Sequence, residues 1–194
     1  MADTLATPED LASLLQLDYT TLSAAQHATM IMLVELATAK VQRAAGGQRI
    51  LEGTDTAVID VEDGYRDRHL ALPQMPVRSV ASVEIEGVAV TDWRLSQQML
   101  WRSAGWGSWR KPTQVSVTYS HGYLTGSQWL QLGRDLTLSM ARMPFDNPSG
   151  AVSEAIDDYR ISYAEANARM QMTEPMRQAI ADAYGTSAYV TVSR

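Results

Sequence analysis

The sequence contains no cysteine. That absence excludes disulfide bonds, zinc–thiolate sites and cysteine nucleophiles together, and it suits reducing and oxidising compartments alike. Lysine is nearly as scarce: Lys40 and Lys111 stand among 16 basic residues, against 22 acidic ones, for a formal net charge of −6. Proteins that grip DNA concentrate Lys and Arg to neutralise phosphates, so tight nucleic-acid binding is disfavoured. A surface that DNA slides past without sticking is compatible with the charge. Long hydrophobic runs are missing too. No stretch approaches the ~18 uninterrupted apolar residues of a membrane span, and MADTLATPEDLASLL lacks the basic start and long apolar run of a signal peptide. The expectation is a soluble protein made in the cytoplasm. There is no Walker loop, GxGxxG, HExxH or GxSxG, and no internal repeat or low-complexity tract.

What is present is an ordinary globular composition, 45% apolar and 20% charged over 194 residues. A chain of this length buries roughly 70% of its unfolded surface and needs no metal or disulfide to fold. The first third reads as helical. Thr7 is placed to N-cap a helix with Pro8 at its first position and Glu9 and Asp10 at its positive end. Ser23 and Gln26 form a capping-box pattern for a longer helix from about Ala24 to Ala45, stopped by Gly46-Gly47. Met30, Leu33, Val34, Ala37, Val41 and Ala44 share one face of it, as core or helix–helix contact. The middle reads as β: Val83 and Ile85 alternate with polar residues before Gly87, and Val115, Val117 and Tyr119 alternate with Ser116 and Thr118. Ala57 to Val61 and Arg68 to Leu72 suggest further short strands. MLWRSAGWGSWRKP, from Met99 to Pro112, reads as a hairpin with a long tip. The last third returns to helix from about Gly126 to Met143, ended by Pro144. A short strand at Tyr159 to Tyr163 follows, then a helix opened by Pro175 and ending near Gly185. The tail at Tyr189 to Val192 is β-prone. The expected fold is α+β, a helical bundle formed by N- and C-terminal helices with a β-rich insertion. Residues 1–50, 51–123 and 124–194 are its N-terminal helices, insertion, and C-terminal helices with tail, within one compact unit.

Few residues suggest catalysis. His121 follows Ser120 in SHGY, but adjacent residues on a strand point to opposite faces, so the two do not form a dyad. A strand end with Gly122 at positive φ is the simpler reading. Asp60, Glu62, Asp63 and Asp67 resemble a calcium loop only loosely, because Gly64 falls one position early; a solvated acidic loop accounts for them. Trp93, Trp101, Trp106 and Trp109 lie in one β region with Arg102, Arg110 and Lys111. They suit a protein interface or a core better than a stacking platform for single-stranded nucleic acid. No catalytic, metal or cofactor-binding residue is assigned.

The order of several motifs resembles the head-tail connector (adaptor) proteins of tailed double-stranded DNA bacteriophages. The residues that carry it are LPQMPVRSVASVEIEG from Leu72 to Gly87, LWR from Leu100 to Arg102, Trp109 and Pro112, and VSVTYSHGY from Val115 to Tyr123. Gly150, SEAIDDYRISYA from Ser153 to Ala164 and the helical pair ending at Gly46-Gly47 complete it. DDY departs from the pattern at Asp157, where glycine is expected. The resemblance implies a ring homo-oligomer, dodecameric in the family, in the neck of the virion and assembled in the host cytoplasm. It would dock on the portal, join it to stopper or tail-completion proteins, and leave a channel for double-stranded DNA without sequence-specific binding. No enzymatic activity, cofactor or membrane association is implied. Trp101, Arg102, Trp106 and Trp109, with Tyr189, Val190 and Val192 of the tail, are the expected partner-binding residues, the tail acting as an arm. The alternatives are a small hydrolase using His121, with a carboxylate brought near by folding, and a Trp/Arg-rich nucleic-acid-binding module.

Overall fold

The computed structural model describes residues 4–62, 66–108, 111–146, 153–156, 159–162 and 170–185. The fold is α+β, divided into two compact units: Met1–Gly47 with Gln128–Arg194, and Gln48–Ser127 between them. The expected boundaries at residues 50/51 and 123/124 thus fall a few residues inside the β unit.

The first unit is helical. Helix α1 (Pro8–Leu14) begins with the expected cap: Thr7 Oγ1 accepts from Asp10 N, and the Asp10 carboxylate accepts from Thr7 N. Helix α2 (Ala24–Ala44) starts on the Ser23–Gln26 capping box. Each box satisfies two of the backbone donors that a helix start leaves open. Met30, Leu33, Val34, Ala37 and Val41 are buried, while Ala44 is exposed and Ala45 takes the buried position beside it. Helix α3 (Gln128–Asp146) runs through Pro144 rather than ending there. A proline this close to a C-terminus costs one hydrogen bond of the last turn and spares the rest of the helix. Helix α4 (Glu174–Tyr184) carries Pro175 in its first turn and closes at Gly185. Asp10 binds Arg134 at 2.6 Å, Lys40 Nζ donates to the Met170 carbonyl at 2.6 Å, and the Tyr184 hydroxyl donates to the Trp129 carbonyl. These bonds tie α1 to α3, α2 to the entry of α4, and α4 to α3. Met140, Ala141, Met143, Ile180 and Tyr184 fill the core with α2. Two further short strands, β8 (Ser153–Ile156) and β9 (Tyr159–Ser162), form an antiparallel pair.

The second unit is β. Strands β1 (Gly53–Val61), β3 (Val77–Ile85), β4 (Val88–Ala89) and β7 (Thr113–His121) form an antiparallel sheet in the order β1-β7-β3-β4. Strands β2 (His69–Ala71), β5 (Trp93–Ser96) and β6 (Met99–Arg102) form a second sheet in the order β2-β6-β5. Val83, Val115, Val117 and Tyr119 from the first sheet share one core with Leu70 and Leu100 from the second. The loop from Leu72 to Pro76 is pinned from two sides. Gln48 donates to the Pro73 carbonyl and accepts from Met75 N, while the Tyr119 hydroxyl accepts from Gln74 N. Gly122 has a φ of 87°, and a Cβ there would stand 2.2 Å from the Leu51 carbonyl oxygen, so no other residue fits that turn.

The stretch from Met99 to Pro112 differs from the expected long-tipped hairpin. The hairpin joins β5 to β6 and turns at Gln97-Gln98, both at positive φ. After β6 the chain crosses to the larger sheet instead of folding back. Gln98 Oε1 accepts from Val77 N at 2.5 Å, so a tertiary bond holds a turn that glutamines would not choose locally.

Candidate interaction surfaces

The Trp/Arg sheet separates residues that look alike in the sequence. Cross-strand register places His69, Trp101 and Arg94 in one row. The Arg94 guanidinium lies over the Trp101 ring, 4.5 Å from its centroid, a cation–π stack at a half-buried indole. Arg102 is an internal strut: it donates to Asp92 at 2.8 Å and to the Gly105 carbonyl at 2.7 Å, with 18% of its side chain exposed. Its guanidinium holds the Asp92 carboxyl below the usual carboxylate range. Trp106 is fully buried and donates its indole N–H to the Arg68 carbonyl. It is a core residue, and its side chain is withdrawn from any partner. Trp93 is partly buried against the same core and donates to the Val90 carbonyl. Of the expected partner-binding residues, Trp101 therefore offers surface, while Arg102 and Trp106 are used inside the unit. Trp109, Tyr189, Val190 and Val192 lie outside the described residues. Arg94 was not among the candidates, although the Trp93-Arg94 dipeptide marked a cation beside the cluster.

His121 closes β7 with no exposed surface. Folding does supply a carboxylate: His121 Nε2 lies 3.2 Å from Asp55 Oδ2, and Arg49 donates to both oxygens of the same group. Gly53 stands directly opposite His121, and even a Cβ there would meet the imidazole only at ordinary contact distance, 3.4 Å. Tyr119 flanks the imidazole with its ring, and burial raises its phenol pKa above the usual value. Ser120 is on the other face, bonded to Ser79 at 2.7 Å. Strand parity thus separates serine from histidine as expected. An Arg–Asp–His row without solvent access to the imidazole suits a structural clamp better than a hydrolytic site. Among the described residues, no group of three or more His, Asp or Glu could hold a metal.

Helix α2 carries a second apolar stripe. Ala25, Thr29, Met32, Leu36 and Ala39 recur four, three, four and three residues apart and are all exposed, Met32 at 58% and Leu36 at 44%. Ile31, 42% exposed, lies apart from them on the flank that faces Pro8 and Tyr19. The spacing is that of a helix–helix seam, and it faces away from the buried stripe of the same helix. Helices apolar on both faces are normally covered on both.

Two compact units, one helical and one of paired antiparallel sheets, define a class of α+β protein in which the sheets are inserted between helices of one bundle. No protein-family model matches the chain, and no curated protein matches it in sequence. No helix among the described residues is long and apolar enough to cross a membrane.

Proposed function

We propose that the chain is a structural subunit of a phage neck, a head-tail connector without enzymatic activity. As a ring it would dock on the portal, join it to stopper or tail-completion proteins, and leave a channel for DNA. The observation that carries this reading is the outer stripe of α2, a seam of exposed apolar residues that a solitary subunit leaves in water. The motif order from Leu72 to Tyr123 supports it, since those residues build the pinned loop, β3, β6 and β7 of the inserted unit. So does the burial of His121, the residue on which a hydrolase would depend.

The test is imaging of purified necks with this chain located in them, together with sedimentation of the chain mixed with its portal. A ring of this chain beneath the portal is the expected result. A monomer that neither self-associates nor joins the portal at any concentration overturns the proposal.

A further inference from the structure

The larger sheet has one long strand at its edge. On one side β4 covers only Glu84 and Ile85 of β3, whose own run is broken by two register shifts, whereas β1 forms the other side with nine residues in unbroken register. Short edges resist unwanted pairing, but a long regular edge is a template for another strand. The parity of its free groups follows from the register. Gly122 N donates to the Pro76 carbonyl on the β3 side, and Tyr123 N donates to the Ile50 carbonyl on the β1 side. Main-chain groups alternate along a strand, so Thr113, Val115, Val117, Tyr119 and His121 point theirs at β1. Their opposite numbers, Val61, Ile59, Ala57, Asp55 and Gly53, return those bonds. The N–H and C=O groups of Thr54, Thr56, Val58 and Asp60 therefore point outward, and none has a backbone partner among the described residues.

The two faces at this edge differ. On one, Thr54, Thr56 and Val58 are exposed beside Ser116, Thr118 and Ser120, with Thr56 and Thr118 bonded at 2.9 Å. On the other, Ala57 and Ile59 are only partly buried and pack against the core. A strand added here needs small or hydroxyl side chains on one face and aliphatic ones on the other. It should carry no carboxylate side chain, because Glu52, Asp55, Asp60 and Glu62 lie along β1 and its ends.

We propose that the edge of β1 receives residues 186–194 of a second copy of this chain as an added strand. The segment TSAYVTVSR has the required period: Ala188, Val190 and Val192 alternate with Tyr189, Thr191 and Ser193. Val190 and Val192 would cover Ala57 and Ile59, while Tyr189 and Thr191 would extend the hydroxyl face. The segment has no Asp or Glu and includes Arg194. Extended, its nine residues span about 30 Å, the length of β1. Main-chain bonds would supply adhesion and the alternating side chains would set the register. A tail-to-edge contact joins two different surfaces, which is the heterologous geometry that closes rings. In naming a second copy as donor, the proposal rests on the connector reading.

The cysteine-free sequence makes the test direct. Chains carrying Val58→Cys and chains carrying Thr191→Cys are mixed in the full-length protein and oxidised, and amide exchange is followed in unmodified chains. The expected outcome is a disulfide between two different chains, with exchange at Thr54, Thr56, Val58 and Asp60 slowed at least about tenfold in the assembled state relative to dilute subunits. A chain carrying both substitutions that links only to itself overturns the proposal in favour of the chain's own tail. Absence of any link and of any slowing, in rings that still form and bind portal, overturns it while leaving the connector reading intact. If no ring forms but the linked pair does, strand addition stands and the connector reading falls.

Discussion

Asp55 reaches across the sheet to His121, its Oδ2 3.2 Å from the buried Nε2, while Arg49 holds the same carboxylate from the solvent side. The histidine is wholly inside and its Nδ1 has no hydrogen-bond partner among the described residues, so the Asp55 bond is the polar anchor of the ring. Replacing Asp55 with Ala should lower the stability of the β unit by about 1–3 kcal/mol, the cost of leaving a buried polar group without its partner. Urea denaturation followed by circular dichroism checks this. Substituting His121 with Gln should change stability or assembly and leave no hydrolytic turnover to lose.

The tryptophans should divide sharply on truncation. Trp106→Ala is expected to cost about 3–5 kcal/mol because it empties a fully buried site. Trp101→Ala should cost less, about 2 kcal/mol, because its indole keeps part of its surface in water and loses some packing together with the Arg94 stack. Denaturation midpoints of the two variants measure the difference. Equal losses would contradict the division into core and surface indoles.

Acid should loosen the helical unit through Asp10. Burial of this carboxyl acts to raise its pKa, but the Thr7 backbone bond and Arg134 outweigh it, and the folded value lies below the ordinary one. A depressed folded pKa means stability that is present above the unfolded value, about 3.9, and lost as pH falls through the folded value. Asp10→Asn should therefore be less stable than the parent at pH 7, by roughly 1 kcal/mol. The two should converge as pH drops below about 3.9. Thermal melts over pH 2–7 (roughly the carboxylate range) report the convergence.

The outer stripe of α2 should govern association and not folding. Met32→Lys combined with Leu36→Lys places two charges on surface already in water, so the melting temperature of the dilute subunit should stay within about 2 °C of the parent, the scale expected for surface changes. Self-association or portal docking should weaken at least about tenfold, since these residues would sit at the centre of a buried contact. Analytical ultracentrifugation reads both variants at matched concentrations.

Helix starts were the most legible part of the sequence because capping is local: Thr7 with Asp10, and Ser23 with Gln26, act within one turn. The buried stripe of α2 was equally plain, since five residues at helical spacing face one way. The hairpin tip was misplaced because glycines between Met99 and Pro112 carry strong turn signals. The true turn at Gln97-Gln98 is held by a bond to Val77, which is remote in sequence. The Asp55–His121 contact depends on strand register across most of the inserted unit, and no spacing along the chain reveals it. Trp101 and Trp106 look alike in sequence, but the crossover after β6 buries one and leaves the other under Arg94. The α2 seam was hidden in a helix whose inner stripe had already accounted for its apolar residues.

The inserted unit begins and ends at one place. Tyr123 N donates to the Ile50 carbonyl at 2.9 Å, and Leu51 bridges Tyr123, so entry and exit strands are fastened together before either reaches the helices. To the bundle the entire insertion is a short closed connection, and its length adds little to the entropy of joining α2 to α3. Such a junction lets the sheets be exchanged, enlarged or trimmed by recombination while the helices remain unaltered. The bundle could stay constant while the inserted module diverged with each new partner.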